Sequence, residues 1–248
     1  MKIAMFAALL TAGSLAAADV PQPIGAWDFE NVSGTVVKAV VGPDGRIVNP
    51  GKNARTVPGR SGGNALYIGG GWTPADRNKV GGLVIPKFAP QHNKPFSIVF
   101  DFKPDSDPDN KNFRKFKTLV EAANGERGPG FRVYVFYGAM QFRTGDGKKN
   151  MKHVSGSSSV RIPENSWSRI AVVYSGSTAS LYLNGVRIAD GDMKIVPGTQ
   201  KNLSFGSYRG GFANPATAAY DNIAVYDRAL SANELADDYL ETLKKDHQ

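Results

Sequence analysis

The chain has 248 residues, 41% hydrophobic and 21% charged, with 30 Lys and Arg against 22 Asp and Glu for a formal charge of +8. That balance excludes a disordered or collagen-like chain, because enough apolar surface is available to offset chain entropy. The absence of Cys excludes disulfides, thiolate metal sites and Cys nucleophiles, so any metal must be held by oxygen or His.

The first residues read as an address. Lys2, an apolar run over 3–10 and Ala16-Ala17-Ala18 before Asp19 fit the basic region, apolar region and small-residue cleavage site of a signal peptide. The expectation is a signal peptide over 1–18, cleaved near Ala18, and a secreted or periplasmic protein over 19–248. No stretch reaches the ~20 apolar residues that a spanning helix needs, so no membrane span is expected. Composition does not shift in mid-chain, and 19–248 reads as one domain.

Next in order come runs with the period-2 alternation of half-buried strands. The first, over 96–102 (FSIVFDF), closes at Lys103-Pro104. The run over 131–137 (FRVYVFY) passes through Gly138-Ala139 into 140–143 (MQFR), where Gly at the first central position suits a II′ turn. Runs over 168–174 (SRIAVVY) and 179–183 (ASLYL) lead to Asn184-Gly185 and 186–189 (VRIA). Asn-Gly tolerates positive φ at both positions and is the strongest hairpin signal in the chain. The convincing helix is terminal: Ser231-Ala232-Asn233-Glu234 is a capping box, Leu230 and Leu235 can staple it, and Lys244 and Lys245 suit its negative end. Short, regularly spaced strands with one terminal helix define an all-β, two-sheet antiparallel sandwich.

Several segments, in this order, carry a resemblance. They are 24–30 (IGAWDFE), 62–68 (GGNALYI), 96–98 (FSI), 165–174 (NSWSRIAVVY), 181–185 (LYLNG) and 220–231 (YDNIAVYDRALS). Together they resemble the laminin-G-like members of the concanavalin A-like lectin/glucanase superfamily. The resemblance implies a jelly roll with a carbohydrate site on its concave face or rim loops. It also implies a structural Ca2+ site in which Asp221 on the closing strand meets Asp28 and Asn64. Oxygen-only donors of this kind suit calcium. Function is not implied, because the superfamily holds lectins, hydrolases and lyases.

The residues themselves narrow the chemistry. Glycosidases need two carboxylates across the scissile bond, and Asp101 stands alone on its strand while Glu126 and Glu164 fall in turns. A lyase needs an Arg or amide on the uronate carboxylate and a Tyr or His as base. Alternation places Arg132 and Tyr134 on one strand face and Gln141 and Arg143 on the next, with His153 in the following loop. His92, His153 and His247 are too scattered for zinc, and 105–109 (DSDPD) lacks the Gly and Glu of a calcium loop.

Clusters at 114–117 (RKFK) and 148–153 (KKNMKH), with Arg60, Arg77 and Lys79 around Trp72, favour polyanions. In an exported protein these are acidic polysaccharides; no nucleic-acid signature accompanies the charge. Trp72 sits in a Gly-rich loop suited to stacking on sugar, whereas Trp27 and Trp167 read as core. The expected activity is binding of anionic polysaccharide by a monomer through Trp72, Arg132, Tyr134, Gln141 and Arg143. The alternatives are a β-eliminating polysaccharide lyase using Tyr134 or His153 with Arg132 and Arg143, and an envelope adhesion module with a protein partner.

Overall fold

A computed structural model describes residues 21–71, 73–106, 116–125 and 127–247. The signal-peptide expectation over 1–18, Trp72, Glu126, and 107–115 with its Arg114-Lys115 lie outside the described residues. The alternating runs build two antiparallel sheets. One has eight strands, in the order Val186–Asp192, Thr178–Leu183, Ser168–Tyr174, Phe96–Pro104, Ala218–Tyr226, Asn64–Ile68 and Ala54–Pro58, with Gly25–Trp27 also paired to Ala218–Tyr226. The other has nine, in the order Met151–Ser155, Ala139–Gly145, Gly130–Phe136, Lys117–Ala123, Leu203–Phe205, Gly82–Ile85, Gly45–Val48, Val36–Val37 and Val32–Ser33. The order within each sheet departs from chain order, as a jelly-roll sandwich requires.

Alternation decides what lies between the sheets. Phe96, Ile98, Phe100 and Phe102 point inward from one sheet, and Phe131, Val133, Met140 and Phe142 from the other; all are at most 1% exposed. Tyr220 joins them, its ring 5.1 Å from Phe102 and 5.6 Å from Phe100. Each such side chain contributes about 1.5–3 kcal/mol on burial.

The outward residues of the eight-stranded sheet are covered by the chain itself. Val99, Ala171, Val173 and Tyr182 form a second apolar cluster with Leu230 and Leu235 of the helix Ala232–Asp246 and its entry. The capping box is present: the Ser231 hydroxyl accepts from the Glu234 amide at 3.2 Å, and Glu234 accepts from the Ser231 amide at 2.7 Å. Glu234 also receives Arg228, whose guanidinium holds the carboxyl down at about 2.

Three expectations need correction. The loop between Gly130–Phe136 and Ala139–Gly145 is Tyr137-Gly138, with φ of 50° and 75°; two positive values make it type I′, with Gly second rather than first. His153 lies within the strand Met151–Ser155, not in a loop. Trp167 precedes its strand and is half-buried, with the Lys103 ammonium 5.9 Å from the ring centroid, because only one side of it is covered by the fold. Trp27 is core at 1% exposure. Among the described residues no helix is long and apolar enough to cross a membrane.

Candidate functional site

The hairpin register brings the sequence-predicted residues together on the outer face of the nine-stranded sheet. Successive cross-strand partners are His153, Arg143, Arg132, Glu121, Ser204, Val84 and Arg46. A parallel row holds Ser155, Gln141, Tyr134 and Thr118. Side chains of one row share a face because neighbouring strands are in phase.

The face is not an open row of donors. Arg132, Tyr134 and Arg143 are 6%, 3% and 7% exposed. Arg132 donates through Nε to Glu121 at 2.6 Å and through Nη2 to the Gly125 carbonyl at 3.2 Å, and lies 4.2 Å from the Tyr208 ring centroid. The Tyr134 hydroxyl donates to Gln141 Oε1 at 2.7 Å, under Phe116, which stacks on Phe136 at 4.0 Å. Arg143 sits 5.8 Å from the Tyr134 ring centroid. His153 is exposed. The arginines and tyrosine therefore form a packed cationic floor, with the Tyr134 hydroxyl already engaged by Gln141.

Glu121 is the residue that sequence reasoning missed. It is 2% exposed and accepts from Arg132 on one oxygen and from the Arg209 amide on the other. Burial pushes its carboxyl above the ordinary range, against the pull of Arg132 and Arg209. Its strand, Lys117–Ala123, carries a bulge opposite Val133/Tyr134, so Leu119 and Val120 both turn to the core and the alternation is broken.

A second polar region lies at the seam between the opening segment, the closing strand and the helix. A cleft of about 550 Å³ is lined by Asp28, Glu30, Arg60, Asp221, Asp238 and Lys245, among others. Asp101, 0% exposed, accepts from Arg60 at 2.8 Å and from the Asn222 amide group at 2.9 Å, and faces Arg169 at 3.5 Å. Each arginine also forks onto a helix carboxylate: Arg60 onto Asp246 at 2.7–3.1 Å and Arg169 onto Asp238 at 2.8–3.0 Å. This is a clasp between helix and sheet.

The expected calcium residues lie beside that clasp. Asp28 and Asp221 line the cleft; Asn64 instead donates to Glu30, by its amide at 2.8 Å and its side chain at 3.2 Å. Gly63, at φ 63°, lets Glu30 come close, since a Cβ there would overlap the carboxylate. Asp221 accepts from the Arg60 and Asn222 amides at 2.9 and 2.8 Å. Burial pushes its carboxyl up to about 7, with Asp101 and Glu30 adding to the rise. Among the described residues no three His, Asp or Glu side chains are already grouped around one point.

Two sheets, a covered outer face on one and a cationic face on the other define a lectin-type sandwich. The family model of the concanavalin A-like lectin/glucanases superfamily, in its laminin-G form, matches residues 77–236, and the chain belongs to that superfamily. No curated protein matches the sequence. Similar solved structures include the binding domain of Paraclostridial mosquitocidal protein 1, at 17% identity, TM-score 0.65, and 88% coverage of this chain against 51% of that one. The binding domain of botulinum neurotoxin serotype G is 12% identical with a TM-score of 0.64, and that of serotype D 14% with 0.62; each match covers 89% of this chain and 51% of the other. The chain spans about half the length of these structures, and at such identities the likeness is one of fold.

Proposed function

We propose that this protein is an exported carbohydrate-binding domain for anionic polysaccharide, monomeric in action and with no catalytic step of its own. The observation that carries the reading is the cationic floor of Arg132 and Arg143 under the outer face of the nine-stranded sheet, flanked by aromatic rings. The buried guanidiniums raise the positive potential of the surface above them, which favours polyanions, and aromatic faces suit the apolar faces of pyranoses. Trp72, in a Gly-rich stretch of the sequence, belongs to the reading as a stacking residue, and the basic start with Ala16-Ala17-Ala18 supports export. Membership of the concanavalin A-like lectin/glucanases superfamily supports a sugar-recognising use of the fold.

A structural calcium ion fits the same reading. Asp28 and Asp221, with Glu30 and Asn64 beside them, offer hard oxygen donors at the seam of the chain's two ends. Bound there, calcium would supply the positive charge that lets the buried Asp221 ionise.

Affinity electrophoresis through gels containing polygalacturonate, alginate, a sulfated galactan or neutral dextran tests the function. Retardation by the acidic polymers, lessened by salt, is the expected result. No retardation by any polymer removes it. New ultraviolet absorbance from unsaturated uronate would replace binding with β-elimination, and His153 opposite Arg143 would then be the first residue to change.

A further inference from the structure

The cationic floor is buried, so a polyanion must make its contacts where positive charge reaches the surface. One such place adjoins the floor, and of its residues only Arg77 stands among the basic residues named above around Trp72. Tyr208, whose ring carries Arg132 at 4.2 Å, carries Arg209 at 5.1 Å as well. Arg209 is also 5.7 Å from the Phe212 ring centroid, and Arg77 approaches the same ring to 5.7 Å. Tyr208 and Phe212 meet edge to face at 5.6 Å. Arginine and aromatic rings thus alternate without a break from the sheet face to the rim: Arg132, Tyr208, Arg209, Phe212, Arg77.

The outer end of this ribbon is open and held still. Arg209 and Arg77 are exposed, and Phe212 is half-exposed. Among the described residues neither guanidinium forms an ion pair, whereas Arg60, Arg132, Arg169 and Arg228 all do. The two loops are stitched together: the Asn49 side chain donates to the carbonyls of Asn78 at 3.0 Å, Val80 at 2.7 Å and Gly211 at 3.5 Å, and the Asn78 amide donates to the Phe212 carbonyl at 2.9 Å. Arg209 itself has φ of 50° and its amide is held by Glu121. Asn49 and Asn78 have φ of 51° and 62°. Left-handed backbone at a bulky residue is costly and gathers where a side chain must be aimed.

We propose that Arg209, Phe212 and Arg77 form an exposed subsite for the oxyanions of an acidic polysaccharide, with the sugar ring on Phe212 and its carboxylate or sulfate between the two guanidinium forks. The proposal deepens the binding reading above and rests on it. Both guanidiniums approach one aromatic ring, and planar guanidinium binds such oxygens bidentately where a lysine would not. Polyuronates and sulfated glycans share this chemistry.

Calorimetry of the full protein against polygalacturonate, dextran sulfate, neutral dextran and an oligothymidylate tests it. Arg77→Gln with Arg209→Gln should lower affinity for at least one acidic polymer on the order of tenfold or more, the size expected for losing hydrogen bonds to charged groups. The same pair should reduce the salt dependence of binding and leave neutral dextran and the melting temperature unchanged. Arg209→Lys, which keeps the charge and loses the fork, should recover less than half of the loss. The more affected polymer identifies carboxylate or sulfate as the group read. Tight binding by the wild type that the double variant retains overturns the subsite while the anionic-polysaccharide reading stands. Absence of binding to every polysaccharide overturns both. Binding of the oligothymidylate more tightly than either acidic polymer overturns the subsite in favour of a nucleic-acid surface.

Discussion

The outer faces of the two sheets carry similar residue types and put them to opposite uses. On the eight-stranded sheet Arg60 and Arg169 converge on Asp101 and then on Asp238 and Asp246, so three carboxylates surround two guanidiniums. On the nine-stranded sheet Arg132 shares Glu121 with the amide of Arg209, whose guanidinium stays in solvent. The first set is satisfied by the chain's own helix and, with one carboxylate in excess, has no positive charge to offer. The second leaves positive charge unanswered. Local acid-to-base ratio, more than the number of arginines, separates a region that holds the fold from one that can hold a ligand.

The sharpest way to break the first region is Asp101→Ala. It removes the buried carboxylate that Arg60 and Arg169 share, leaving each with its helix carboxylate alone, and should cost about 3–5 kcal/mol, read from urea unfolding. Next is the pH response of the neighbouring Asp221. Its folded value, about 7, lies above the ordinary 3.8, so its contribution to stability is complete below pH 4 and is lost as pH rises to 7. The three-unit shift corresponds to at most about 4 kcal/mol, and Asp221→Asn should flatten the curve. Saturating calcium should reverse the slope in the wild type, because the metal needs the ionised carboxylate; a slope indifferent to calcium would remove the proposed ion. On the other face Glu121→Gln should cost about 2–3 kcal/mol by weakening a buried charged hydrogen bond. It should also weaken binding of acidic glycan by freeing the Arg209 backbone, whereas Asp101→Ala should leave affinity per folded molecule intact. The smallest effect is Ser231→Ala, about 1 kcal/mol through the lost cap, with glycan affinity unchanged.

What the sequence disclosed follows the range of the interactions. The Asn184-Gly185 turn, the capping box and the shared face of Arg132, Tyr134, Gln141 and Arg143 depend on residues a few positions apart, and each is where the pattern puts it. The clasp joins Arg60, Asp101, Arg169 and Asp246, which no local pattern links. Glu121 was hidden by the bulge, which removes the alternation that would have marked its strand. Burial of Arg132 and Tyr134 was equally invisible, because Phe116 and Tyr208 arrive from distant loops. A positive φ at Arg209 between Ser207-Tyr208 and Gly210-Gly211 leaves only a faint trace, the paired glycines.

The helix Ala232–Asp246 ends against Arg60 on the outer side of the eight-stranded sheet. A tag attached to this helix, for example through the exposed Lys244, therefore sits across the sandwich from the sheet that carries Arg132 and Arg143. A sensor surface that captures the protein by this helix would present every molecule with its cationic sheet toward the flowing analyte. Attachment through exposed lysines scattered over the chain, such as Lys52, Lys94, Lys148 and Lys201, would randomise it.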